Sequence, residues 1–356
     1  MLPGDAPPQP VRSSRGGKSL TVDVHCHILT TEVERLVSSC PEKQAEQAAQ
    51  LRMYGAESIE HNRTLFASLM PQLTGVEERL RRMDGMGVDI QVISPSPNQY
   101  YYWADADLAK QIVAVQNEHI ASVCAAYSER LRGLGNVALQ HPELSVEQLT
   151  DCVKRFGLRG VEISSACNGL ELSDARFERF WSKAEELGCL VFIHPLGTSL
   201  GDRVNCYYLG NIIGQPLETT VALSHLIFGG VLDRFPGLKI CAAHGGGYLP
   251  SYIGRSDHGH AVRPEAARIK FKPSEYLKRI YYDSLVYTPE GLRHLIEEVG
   301  VTQVMIGTDY PFDMGSYDPH DQIAGVPGLT PQQRDLLLGG NAARLLGIDA
   351  GVTAAV

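Results

Sequence analysis

Leu20-Thr21-Val22-Asp23-Val24-His25-Cys26-His27 decides the fold: a short apolar strand that closes on two histidines one residue apart. Successive side chains of a strand point to opposite faces, so His25 and His27 share a face and can grip one metal ion. Cys26 alternates to the other face and is read as packing. Twelve histidines in 356 residues would give roughly 0.4 such pairs by chance, so context has to separate signal from accident. The second pair, His258 and His260, stands among polar residues beyond a helical pattern and is read as a solvated loop.

From that strand outward the chain alternates helix and strand. Residues 30–75 carry a short helical pattern at 32–37 and little pattern after it, and read as an insertion, or lid, over the site. Val76, Leu80 and Met83 mark a helix that Gly85 and Gly87 stop, and a strand follows at 88–93. The rhythm then repeats: helix 105–127, strand 134–139, helix 146–156, strand 160–163, helix 174–187, strand 189–193. A connection with its own helix fills 195–238 before strands at 238–243, 279–284 and 303–307, with helices at 291–299 and 331–346.

Eight strands separated by helices define an α/β protein of the (β/α)8 TIM-barrel type over residues 20–348. Residues 1–19 read as a flexible N-terminal arm and 349–356 as a C-terminal tail. A doubly wound open sheet would need a glycine-rich phosphate turn where His25-Cys26-His27 stands.

Composition narrows the function. A hydrophobic fraction of 44%, a charged fraction of 21% and 35 glycines describe a soluble globular chain. A net charge of −9 speaks against a nucleic-acid partner, and no apolar run is long enough to span a membrane. The arm lacks the apolar core of a secretory signal. None of the eight cysteines forms a Cys-x-x-Cys pair, which fits a reducing, cytoplasmic setting.

Barrel enzymes place their chemistry at the C-terminal ends of strands. The polar residues there are His25 and His27 after the first strand, His194 after the fifth, His244 after the sixth and Asp309 after the eighth. Four histidines and an aspartate converging on one mouth point to a shared metal site.

These motifs resemble the amidohydrolase superfamily, and within it the aminocarboxymuconate-semialdehyde decarboxylase family. The similar pieces are Val22-Asp23-Val24-His25-Cys26-His27, Phe192-Ile193-His194-Pro195, Ala243-His244-Gly245-Gly246-Gly247, Gly254-Arg255-Ser256-Asp257-His258-Gly259 and Gly307-Thr308-Asp309-Tyr310-Pro311-Phe312. The resemblance implies one Zn²⁺ per chain, with Mn²⁺ as the alternative, held by His25, His27, His194 and Asp309. His244 would act with Asp309 as the catalytic pair on a metal-bound water whose pKa falls toward about 7. It also implies two arginines that hold substrate carboxylates, one reaching in from a neighbouring subunit. Arg263 matches that second arginine, and Arg63 is the candidate for the first. Leu196-Gly197 stands where the family has Trp-Asp, so the pocket wall differs. The aromatic run Tyr100-Tyr101-Tyr102-Trp103 is expected to line a planar-substrate pocket, with Trp103 in contact.

The resulting expectation is a zinc-dependent, non-oxidative decarboxylase of a small unsaturated or aromatic carboxylic acid, working as a homodimer with Arg263 acting in trans. Two alternatives stand beside it: a hydrolase or hydratase of a related lactone or enoic acid on the same barrel, and a metal-binding protein without turnover.

Overall fold

The computed structural model describes residues 19–348; the tail at 349–356, and the arm apart from Ser19, lie outside them. Eight parallel strands form the barrel: β1 (Val22–Ile28), β2 (Ile90–Pro95), β3 (Leu131–Gly133), β4 (Gly160–Ile163), β5 (Leu190–Ile193), β6 (Lys239–Ala242), β7 (Tyr281–Asp283) and β8 (Val304–Met305). Two arcs, β1-β2-β3 and β4-β5-β6-β7-β8, are joined by short bridges. Val24 N donates to Ile306 O at 2.9 Å, and His27 N to Tyr310 O at 2.7 Å, closing β1 on the end of β8. Gly135 N donates to Gly160 O, and Glu162 N to Gly135 O, each at 2.9 Å, closing β3 on β4.

Alternation along the strands, shifted on β1 by a register irregularity between Asp23 and Cys26, divides the core. Val22, Val24, Ile90, Val92, Leu190 and Phe192 fill the barrel interior, while Cys26, Ile93, Val161 and Ile193 face the helical layer. Cys26 is fully buried there.

The third strand departs from the sequence expectation. It lies at Leu131–Gly133, ahead of the apolar run at 134–139, which is buried without being a strand. Past Gly135, side-chain amides take over its backbone bonds: Asn136 N donates to Asn117 Oδ1, Val137 N to Asn136 Oδ1 and Ala138 N to Gln148 Oε1, at 2.7–2.8 Å. Buried amides thus do the work of a ladder.

Residues expected to lack pattern after 37 are helical. Helix α1 (Thr31–Val37) is followed by the long α2 (Pro41–Thr74), broken at Gly55 where φ is 76°, and by α3 (Val76–Met86). At the break the chain passes so close to the loop after β5 that a Cβ on Gly55 would lie 1.9 Å from Asn205 O. Only glycine fits there. His258 and His260 also differ from expectation, because they lie within the helix Ile253–Val262. Two residues apart on a helix, they point to different faces and cannot share a ligand as a strand pair would.

Candidate active site

The barrel mouth gathers His25 and His27 from β1, His194 after β5 and Asp309 after β8. One donor atom from each lies within 4.8 Å of all the others, and all four residues are buried. Asp309 Oδ1 is 3.2 Å from His25 Nε2 and 3.1 Å from His27 Nε2, and those two nitrogens are 3.1 Å apart.

The outer nitrogens fix the tautomers. His25 Nδ1 donates to Asp283 Oδ2 at 2.6 Å, His27 Nδ1 to Pro95 O at 3.3 Å, and His194 Nδ1 to Pro195 O at 2.8 Å. Each acceptor is a carbonyl or carboxylate, so each Nδ1 carries its proton and each Nε2 presents a lone pair inward. His194 Nε2 is enclosed with no hydrogen-bond partner. Three inward lone pairs beside a carboxylate repel one another unless a cation sits among them, and an outward N–H held by an acceptor is the usual support of a metal-ligating histidine. The donor set therefore fits a divalent metal.

The charges in this cluster act strongly on one another. Burial pulls the His25 imidazole down, but Asp309 and Asp283 outweigh it and hold it well above its ordinary value. Burial pushes Asp309 up, yet His25 and His27 hold its carboxyl well below the usual carboxylate range. Burial, reinforced by His27 and His25, drives His194 well below its ordinary value.

His244 stands beside this group, its ring centroid 5.0 Å from His194 and 5.4 Å from His25. Its Nδ1 is enclosed without a partner. Burial and then His25 push its imidazole below the ordinary value. His244 and Asp309 both adopt left-handed backbone, with φ of 56° and 58°, a conformation that non-glycine residues keep where the surroundings impose it. Glycines make the turn after His244 possible: Gly245, Gly246 and Gly247 all have positive φ.

Two residues outside the sequence-based set complete the surroundings. Asp283, at the end of β7, holds His25 Nδ1 and accepts from the main-chain N–H groups of His244 at 2.9 Å and Gly245 at 2.7 Å. Its signal was legible, since Tyr281-Tyr282-Asp283 puts an acid at a strand end like the others. Glu162, on β4, is fully buried and accepts from Tyr100 Oη at 2.7 Å, with its other oxygen 3.8 Å from His27 Nδ1.

A cavity of about 690 Å³ opens over this cluster, lined by His194, His244 and Asp309 below and by α2 above. Leu196 contributes apolar wall there. The remaining expected substrate residues divide. Arg63 lines the rim, but its side chain is largely exposed and paired with Glu60 at 2.7 Å. Arg263 is off the wall altogether, exposed and paired with Glu265 at the end of the helix Ile253–Val262. Trp103 is not on the wall either. It packs with Tyr101, Val33 and Val37, and Tyr101 is the member of that run that lines the cavity, turned by a φ of 46°.

Fold and site together define a metal-binding (β/α)8 barrel. A family model described as amidohydrolase matches residues 22–348. The 2-amino-3-carboxymuconate-6-semialdehyde decarboxylase of Dictyostelium discoideum is 35% identical over 344 residues, spanning 93% of each chain. The 5-carboxyvanillate decarboxylase of Sphingomonas paucimobilis superimposes with a TM-score of 0.81 at 25% identity, covering 93% of this chain and 99% of that one. A dihydroxybenzoic acid decarboxylase from a Polaromonas species, solved with manganese and 2-nitroresorcinol, gives 0.77 at 23% identity, covering 93% and 97%. The chain belongs to the amidohydrolase family, in the branch that includes the 2-amino-3-carboxymuconate-6-semialdehyde decarboxylases.

Proposed function

We propose that this protein is a metal-dependent, non-oxidative decarboxylase that releases CO₂ from a small aromatic or unsaturated carboxylic acid. The observation that carries the reading is the convergence of three tautomer-fixed histidines on Asp309 at the floor of a substrate-sized cavity, in a chain whose relatives are named decarboxylases.

His25, His27, His194 and Asp309 would hold the metal. Three imidazoles and a carboxylate suit zinc; manganese, present in the Polaromonas structure, is the alternative. A divalent ion there supplies Lewis-acid polarisation of a bound acid. His244, kept neutral near pH 7 by its enclosure, relays the proton that replaces the carboxyl group on carbon. Asp309 orients the site as both ligand and negative charge. Residues 30–75 act as a lid that excludes water from the cavity.

The substrate carboxylate is held by Arg63 and by Arg263 of a second subunit, in a homodimer whose sites are completed in trans. No helix among the described residues is long and apolar enough to cross a membrane. All eight cysteines are free, which supports a cytoplasmic setting.

The test is trapped CO₂. Purified protein with its metal measured is incubated with a panel of hydroxybenzoic, carboxybenzoic and dienoic acids. Stoichiometric CO₂ from at least one, lost on chelation and restored by zinc or manganese, is expected. Hydrolysis or hydration products without CO₂ would overturn the reading.

A further inference from the structure

Each histidine of the proposed metal site has an outer acceptor, and the three are not equal. Asp283 holds His25 Nδ1 at 2.6 Å and Pro195 O holds His194 Nδ1 at 2.8 Å, whereas the partners of His27 Nδ1 are Pro95 O at 3.3 Å and Ser94 Oγ at 3.4 Å. Hydrogen bonds from a ring N–H to oxygen cluster between about 2.7 and 3.2 Å. His27 is therefore the least firmly held of the three.

Behind His27 stands a carboxylate that the fold does not account for. On β4 Val161 and Ile163 face the helical layer, and alternation turns Glu162 inward, level with Phe192 of β5. Its side chain is fully buried. A charge in such surroundings is costly unless its oxygens are engaged. Oε1 accepts from Tyr100 Oη at 2.7 Å, which ties β4 to the segment after β2. Oε2 has no hydrogen-bond partner among the described residues and lies 3.8 Å from His27 Nδ1, with Ser94 adjoining both groups. The bond to Tyr100 explains one oxygen. The other faces a nitrogen that must carry a proton if the opposite nitrogen of the ring is to bind a cation.

We propose that Glu162 is a positioning residue for His27: the charge on Oε2 biases the imidazole to the tautomer protonated at Nδ1 and so keeps the Nε2 lone pair directed inward. Asp283 does this for His25 through a direct bond, and Glu162 does it for His27 across a longer gap, in a buried setting where little water screens the charge. The inference rests on the metal site of the decarboxylase reading and adds to it a residue that acts on the ion only through His27.

Glu162→Gln tests it, because the amide keeps the volume and an oxygen for Tyr100 while setting an NH₂ group toward His27 Nδ1, which favours the opposite tautomer. Zinc affinity, measured by competition with a chromogenic chelator, should fall by about 10–100-fold, the usual weight of an outer partner of a ligating histidine. The urea midpoint of the chelated protein should not move, since the bond to Tyr100 survives. In zinc-loaded protein carrying isotopically labelled histidine, the Nδ1–H proton resonance of His27 should shift upfield and that of His25 should stay. Unchanged affinity, or a loss of affinity with the His27 resonance unmoved, overturns the assignment and leaves Glu162 as an anchor for Tyr100. Neither readout needs turnover, so a protein that gives both yet releases no CO₂ from any acid would refute the proposed reaction and leave Glu162 standing.

Discussion

The Asp283 carboxylate bonds His25 Nδ1 at 2.6 Å and, through the same oxygen, the main-chain N–H of His244 at 2.9 Å. One buried side chain thereby fixes a proposed metal ligand and the proposed proton carrier in a single frame. Its other oxygen takes Gly245 N and Leu285 N, so the frame is tied to the glycine turn as well. Burial pushes the Asp283 carboxyl up, but His25 outweighs it and keeps the group below its ordinary value.

Asp283→Asn keeps the volume and removes the charge that orients His25. Outer partners of ligating histidines typically contribute about 10–100-fold in metal affinity, and a loss of that size is expected in competition with a chromogenic chelator. Unchanged affinity would show that Asp283 serves the fold alone.

His244→Ala should retain its metal and lose about 10²–10⁴-fold in turnover, the usual contribution of a positioned acid or base. The pH dependence follows from the downward shift of His244 relative to its ordinary 6.5. The neutral form that relays the proton persists as pH falls to that value and is lost below it, so the acid limb of kcat/KM lies under pH 6.5. An acid limb above neutrality, or one that persists in the variant, would remove His244 from the mechanism.

Glycines at the site have a stability consequence. A Cβ on Gly307 would sit 2.6 Å from Asp283 Cβ and 2.9 Å from His25 Cβ, atoms held by their own strands. Gly307→Ala is expected to cost about 1–3 kcal/mol in denaturant unfolding, as overpacking does, and to lower metal content. Gly259→Ala is the control: it meets nothing within 4 Å on the helix Ile253–Val262 and should be neutral or stabilising, by up to about 1 kcal/mol.

The barrel was legible because most of its strands, the third excepted, are short apolar runs followed by a polar residue, as Phe192-Ile193-His194 and Ala242-Ala243-His244 are. What escaped follows from the same physics. Before its break at Gly55 the long helix α2 turns Lys43, Gln47 and Gln50 toward a cavity, so there the face that packs inward is polar and no apolar period marks it. The run at 134–139 reads as a strand because it is apolar and buried, yet Asn117 and Gln148, distant in sequence, hold its backbone. Tyr101 and Trp103 belong to one aromatic run, and the sequence does not show that Tyr101, in left-handed backbone, is the one that meets the cavity.

Arg263 gives the last prediction. Its side chain is exposed and bonded to Glu265, at the C-terminal end of a helix outside the barrel, and it is absent from its own cavity wall. In the proposed homodimer such an arginine would serve a substrate carboxylate by entering a neighbouring copy, exchanging an exposed carboxylate partner of small energetic weight for a desolvated one. Arg263→Ala should therefore raise KM for the acid, with metal content unchanged. Mixing Arg263→Ala chains with His244→Ala chains should restore activity, because one site in each mixed dimer carries an intact His244 from one chain and an intact Arg263 from the other. Subunit exchange is followed by native mass spectrometry. Mixed dimers that form and remain as inactive as either parent would place Arg263 outside the partner's site.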